Sequence, residues 1–368
     1  MAADRGARVL IMGAGDVGQK IAVGLAQAAP LGRLILADSR TDHLADTAAL
    51  LAECHGVGVA VEPVDGTDPR QVEDLLRRAR ADLIVQAAAL IGPWATIGKD
   101  HPVARALVTA GLGVQLPAQL PVLITVMHAV RTLGLTVPVA NISLPDVTNR
   151  VLDTQGLAPL VGLGNASICH LRVRAALRAE MDAEGREDEA LPLIRLAAHH
   201  HHVYGVMRGE PPADPADSVQ VYIGEDGARR DDLAYQGRPV APGPVYNVIT
   251  AAGAVAVLKG LLPGAAPQRF SAPAPMGMVG GYPLRIAPDG VALDLPDGMD
   301  LAAAEALNRR MGAADGVADI ADDGTVTFTE TAHAALADLE PRLAEPLPLA
   351  DLEPRWHLLR EVVSRITA

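Results

Sequence analysis

Residues Val9-Leu10-Ile11-Met12-Gly13-Ala14-Gly15-Asp16-Val17-Gly18 decide how this chain folds. Four apolar residues run straight into Gly13-x-Gly15-x-x-Gly18, which reads as a buried strand, a tight turn and a helix start. The helix follows at once, with Ile21, Ala22, Leu25 and Ala26 recurring at helical spacing between Gln19 and Gln27. In that context Gly13 permits the turn, Gly15 lets the backbone approach a pyrophosphate, and Gly18 lets the helix pack close to the strand. Together with Ala14, Asp16 and Val17 they form an expected dinucleotide contact, because a helix start offers free N–H groups and a positive dipole end.

Working outward, Leu34-Ile35-Leu36-Ala37 is a second buried run, and it ends in Asp38. That carboxylate stands about twenty residues beyond Gly18, where it accepts hydrogen bonds from an adenosine ribose. An acid there repels a 2′-phosphate, so the expected cofactor is NAD rather than NADP, with Arg40 as the opposing sign. The bland alternative is a doubly wound fold that carries the turn and binds no nucleotide.

The remaining bounds come from composition. At 368 residues, 49% of them hydrophobic, the chain has material for two domains with a substantial core. Only 2% are aromatic, so base stacking is not the expected chemistry, and a net charge of −13 argues against nucleic acid. Two cysteines, Cys54 and Cys169, make no disulfide framework, which fits a reducing, cytoplasmic setting. The charged start Met1 to Arg8 does not read as a signal peptide. No apolar run reaches the roughly 18 residues that suggest a membrane span.

Further along, Asp42 to His55 reads as a helix, Val57 to Val64 as a strand, and Val72 to Arg80 as a helix with a solvated arginine face. The strand Asp82 to Gln86 opens into Ala87, Ala88 and Ala89, small residues where a dinucleotide crosses the sheet edge. In the loop that follows, Lys99 and His101 are the polar groups near enough to face a ligand, though a solvated loop accounts for both. Strand and helix have alternated five times by Val137 to Ser143, which predicts a parallel sheet with helices on both faces.

Beyond Asn149 the character changes. A long helix from about Ser167 to Met181 carries Arg172, Arg174 and Arg178, and a strand from Leu193 to Ala198 runs into His199-His200-His201-His202. Val203 to Met207 again reads as strand, Tyr246 to Leu262 as an Ala/Val helix, and Gln268 to Leu295 as antiparallel strands. Imidazole titrates near neutral pH, so one of these histidines is expected to take a proton as hydride departs from a substrate. No close Cys/His spacing supports a metal site, and none is expected.

The order of these pieces resembles the lactate/malate dehydrogenase superfamily, which includes the NAD-dependent family 4 glycoside hydrolases. The resemblance covers about residues 8–300 and rests on several motifs. These are Gly13 to Gly18, Leu34 to Asp38, Ala48 to Leu51, Asn141 to Asn149, Gly162 to Asn165, the histidine run and the Tyr246 to Leu262 helix. It implies that Asn141 or Ser143 contacts nicotinamide and substrate, that Arg172 clamps a substrate carboxylate with two hydrogen bonds, and that His199 or His200 is the acid/base. Asn149, Asn165 and Asn247 are further expected substrate contacts, with His201 also in the candidate set. Three positions depart from the pattern: Cys169 stands where a dehydrogenase has the aspartate that orients its histidine, residues 91–101 contain no arginine, and Gly164 replaces the metal-binding cysteine of the glycosidases.

The expected architecture is therefore α/β: a Rossmann-type doubly wound parallel sheet over residues 1–149, then an α+β substrate and oligomerisation domain over 150–368 with antiparallel strands. The expected activity is hydride transfer between NAD and a carbinol or carbonyl carbon of a small polar, anionic substrate. Two rivals stand beside it. One is an epimerase, lyase or glycosidase using transient oxidation with retained cofactor; the other is an inactive NAD-binding sensor. The resemblance also implies a homodimer or homotetramer, with the apolar helices at Gln115 to Leu133 and Tyr246 to Leu262 as candidate interfaces or internal core.

Overall fold

The computed structural model describes residues 6–367, so the reading of Met1 to Arg8 falls partly on residues 1–5, outside the described residues. β1 (Ala7–Met12) enters the glycine turn and α1 (Asp16–Ala28) leaves it. Then β2 (Leu31–Asp38), α2 (Ala45–His55), β3 (Gly58–Pro63), α3 (Pro69–Ala79) and β4 (Leu83–Gln86) continue the alternation. Helices α4 (Pro102–Ala110) and α5 (Leu116–Thr132) precede β5 (Val139–Asn141), and α6 (Pro145–Asp153) leads to the short β6 (Val161–Gly162). These six strands form one parallel sheet in the order β3-β2-β1-β4-β5-β6. The order reverses between β1 and β4, which opens a crevice beyond the carboxyl ends of the strands.

Side-chain alternation explains why β1 is central. Val9 and Ile11 point to one face and pack with Ile21 and Leu25 of α1, while Leu10 and Met12 point to the other and pack with Val72, Leu75, Leu123 and Val126. Both faces must be covered, and two helical layers cover them.

The second half begins with α7 (Asn165–Ala183), followed by β7 (Ile194–Ala197), α8 (His202–Arg208), β8 (Gln220–Ile223) and β9 (Ala228–Arg229). After α9 (Tyr246–Leu261) come β10 (Gln268–Pro273), β11 (Gly281–Ala287) and β12 (Gly290–Leu293). Both three-stranded sheets, β7-β8-β9 and β10-β11-β12, are antiparallel. The chain closes with α10 (Leu301–Ala314), the hairpin β13 (Val317–Ile320) and β14 (Val326–Phe328), then α11 (Glu330–Leu336) and α12 (Leu352–Thr367). This last segment returns to the first half: Phe328, Leu336, Leu359 and Val362 share one apolar core with Leu10, Leu107 and Val126.

Two expectations change here. Val203 to Met207 is helix, not strand, because the histidine run turns the backbone: the His202 and Val203 N–H groups bond the carbonyls of His199 and His200. Residues 112–132 form a continuous helical stretch long and apolar enough to span a membrane, contrary to the absence expected from sequence. Its most apolar window is 72% buried inside the protein, against α3 and α12, so it serves as a core helix. Helix α9 lies on α1 and α7 and leaves Val245, just before its start, and Val248 exposed.

Candidate active site

The crevice holds a cavity of about 370 Å³ that runs from the glycine turn to the histidine run. Its floor at one end is Gly15, Asp16, Val17 and Gly18; its far wall includes Asn165, His200 and Tyr204.

The glycine turn has the geometry its spacing implies. Gly13 adopts φ +93°, and a Cβ there would lie 2.3 Å from the Ala88 nitrogen, so the turn presses against the loop after β4. A Cβ on Gly18 would meet the Gly13 carbonyl oxygen at 2.1 Å, whereas one on Gly15 would meet nothing within 4 Å. That open space, beside an α1 start with no side-chain cap, fits a pyrophosphate. Asp38 ends β2, half-buried, its Oδ1 accepting the Arg40 N–H. Ala87 lines the cavity; Ala88 does not, its N–H donating to the Gln86 side chain. The residues present therefore fit a dinucleotide. One contact was not expected: the His43 ring meets the Ala14 carbonyl at 3.3 Å, bringing an imidazole to the turn.

Asp16 and Asn247 bind each other rather than standing free. Asn247 Nδ2 donates to Asp16 Oδ2 (2.7 Å), and its Oδ1 accepts from the Trp94 indole (3.0 Å). Lys20 pairs with the same aspartate. Asn247 therefore straps the 91–98 loop and α9 to the turn, and it also lines the cavity.

Asn141 is likewise corrected. It is fully buried, and its side chain is consumed by Ser143, Thr148 and Asn149, so it does not reach the cavity. Asn149 completes that network by donating to the Ala274 carbonyl and is not a ligand contact either. Ser143, the alternative at this position, does line the cavity and donates to Gln119 Oε1 at 2.6 Å.

Arg172 also leaves the site. Its guanidinium lies on Gly237 and donates to the Arg238 and Val206 carbonyls, outside the cavity lining. Lys99 is exposed, and His101 caps α4 through its Nδ1, so neither faces the cavity.

The histidines divide into distinct roles. His199 is buried; burial holds its ring down to about 3, and its Nδ1 accepts the His201 N–H. His202 is neutral for the same reason, held at about 4, accepting from the His199 N–H and bonding the Asp217 carbonyl. His200 alone of the four lines the cavity. Its Nδ1 lies 2.5 Å from Asp315 Oδ2, and its own N–H donates to Asp146 Oδ2 at 2.9 Å. Burial opposes protonation of His200, yet the Asp315 and Asp146 carboxylates prevail and raise its pKa. Burial pushes the Asp315 carboxyl up, but His200 and His201 outweigh that and hold it well below the usual carboxylate range.

Asp315 and Asp146 are the residues sequence reasoning missed. Asp315 follows α10 directly, and its carbonyl accepts the Gly113 N–H. Gly111 and Gly316, both at φ +91°, make that approach feasible, since a Cβ on either would lie about 2.2 or 2.1 Å from the facing carbonyl. Asp146, in the first turn of α6, also accepts from Asn165 Nδ2 at 2.7 Å, and burial lifts it to about 6. Asn165 itself stays in the cavity wall as expected. His201 pairs with Asp315 Oδ1 at 3.2 Å but faces a second cavity with Arg208 and Glu210.

A histidine whose Nδ1 is held by a carboxylate keeps its tautomer fixed and offers Nε2 to a ligand. Among the described residues nothing bonds His200 Nε2, so that atom is the one free to exchange a proton in the cavity.

The fold is α/β and Rossmann-like, with a six-stranded parallel sheet followed by antiparallel sheets. No protein-family model matches it, nor does any curated protein. Among solved structures, lactate dehydrogenase from Eimeria maxima with NADH and oxamate is similar at TM-score 0.53 and 14% identity, over 84% of this chain and 94% of that one. The minor L-lactate dehydrogenase of Enterococcus mundtii in its ligand-bound form gives TM-score 0.49 at 15% identity, over 84% and 96%. A lactate dehydrogenase from a Medee basin deep-sea metagenome library gives 0.48 at 16%, over 84% and 97%.

Proposed function

We propose that the protein is an NAD-dependent oxidoreductase that interconverts a carbinol and a carbonyl, with His200 as general acid/base. One observation carries this reading: His200, backed by Asp315 at 2.5 Å, shares a single cavity with the open glycine turn. Gly15, Val17 and Gly18 would hold the pyrophosphate, Asp38 the adenosine ribose, and Ala87 would let the nucleotide cross the sheet edge. When bound, the nicotinamide supplies the acceptor or donor of a hydride. His200 Nε2 takes the hydroxyl proton as the alcohol is oxidised and returns it in the reverse direction. Asp315 holds the ring in the Nδ1–H tautomer and stabilises its charged form. Asp146 and Asn165 fix the backbone of His200 and so its aim.

The inactive-sensor reading rests on Cys169 standing where a dehydrogenase carries its orienting aspartate and on the lack of arginine in residues 91–101. Asp315 supplies a carboxylate to the histidine from elsewhere in the chain, which answers the first of these. The Cys169 thiol, pushed up to about 12 by burial, takes no part.

Titration with NADH and NADPH, followed by nucleotide fluorescence, tests the cofactor half of the proposal. NADH is expected to bind at least about tenfold more tightly than NADPH, because a 2′-phosphate meets Asp38. Failure to bind either nucleotide rejects the reading. Homo-oligomer formation and a cytoplasmic location remain part of the same proposal, checked by light scattering and fractionation.

A further inference from the structure

The cavity wall near His200 contains no lysine or arginine. Among the described residues that line it, the ionisable side chains besides the tyrosines are Asp16, already paired with Lys20, and His200 itself. The arginine placed to clamp a carboxylate, Arg172, is spent on the Arg238 and Val206 carbonyls. Arg208 lines the second cavity instead. In place of charge, Ile97, Leu112, Ile168, Val203, Tyr204 and Tyr246 surround the histidine's side of the cavity.

Two buried carboxylates, Asp315 and Asp146, stand directly behind His200, so even with the ring protonated they outnumber its charge and the field of this cluster is negative. A substrate carboxylate or phosphate entering here would lose its hydration, find no guanidinium to pair with and face that field.

Resting on the oxidoreductase reading above, we infer that this site takes a neutral, largely apolar secondary alcohol or ketone rather than a 2-hydroxy or 2-oxo acid. In the oxidative direction the carbinol C–H bond breaks and its electron pair leaves as hydride to the oxidised nicotinamide. The O–H proton passes to His200 Nε2, and the carbon–oxygen double bond forms. Atoms and electrons balance with NAD as the sole oxidant.

The test uses the full-length protein saturated with NADH, with nucleotide fluorescence reporting competing probes of similar size: oxamate, an anion, and isobutyramide, a neutral amide. Isobutyramide is expected to bind the NADH complex about tenfold or more tightly than oxamate. Oxamate binding equally or more tightly overturns the substrate class while leaving the cofactor reading intact, and so does a failure of isobutyramide to bind. Absence of NADH binding itself overturns both, and is seen before either probe is added. Ile97→Arg, a change in a partly exposed loop residue of the wall, is expected to reverse the preference towards oxamate with NADH binding retained. An unchanged preference in that variant also counts against the inference.

Discussion

On one side of the cavity the glycine turn is made by six consecutive residues, Gly13 to Gly18. On the other, His200 meets Asp146 from 54 residues away and Asp315 from 115 residues away. The turn is a local object, fixed by φ angles and close backbone approaches within one strand–helix unit. The histidine corner is a tertiary object, and every part of it depends on where another element has docked. The proposed nucleotide binding and proton transfer therefore rest on different kinds of structural determinant, and each is expected to be damaged without the other.

The largest separation of the two is expected from His200→Gln. Oxidation of a neutral secondary alcohol should fall by about 10²–10⁴-fold while the NADH dissociation constant stays within about twofold. Parallel loss of both would mean the corner and the turn are not separable. Asp315→Asn is expected to lower turnover by about 10²-fold and to move its pH profile. Alcohol oxidation needs His200 neutral, so the wild-type rate should rise with pH through the raised pKa of that ring, above its ordinary value of 6.5. Without the Asp315 charge the midpoint should shift to lower pH; a midpoint that stays in place removes Asp315 from its role.

The turn is attacked from the opposite direction by Gly15→Ala. A methyl group there meets no protein atom, so the melting temperature should barely move. It would occupy the pyrophosphate's space, and NADH affinity is expected to drop about tenfold, or about 1.4 kcal/mol. A folded variant with unchanged affinity would place the nucleotide elsewhere. The smallest effect is expected from Arg172→Ala. Losing its donations to two backbone carbonyls should lower stability by about 1–2 kcal/mol in urea titration, with the alcohol's KM unchanged. A large rise in KM would return Arg172 to the substrate.

How much of this was legible in the sequence follows the same division. The parallel sheet could be read because Val9 to Met12, Leu34 to Ala37 and Leu83 to Val85 are continuous apolar runs at strand length, each followed by helical periodicity. The turn could be read because its glycines stand at fixed spacing. Asp315 could not: an aspartate and a glycine after a helix read as an ordinary turn, and nothing local says that Gly316 will lie against Ala110. Asn141 and Asn149 misled for a related reason, since polar residues at a strand's end and on the helix that follows it face either a ligand or one another, and only packing decides. Val203 to Met207 misled because its β-branched and aromatic residues suit a strand, while the backbone bonds of the preceding histidines impose a helical turn.

The seam between Gly111 and Gly316 sets an order of events during synthesis. The strands, helices and turn proposed to cradle the nucleotide are all translated before Asp315 leaves the ribosome, and domains generally fold from the N-terminus as the chain emerges. The residues after Asp315 also complete the apolar core beneath β1, through Phe328, Leu336, Leu359 and Val362, so the late segment that brings a carboxylate to His200 is the same one that finishes the sheet carrying the glycine turn.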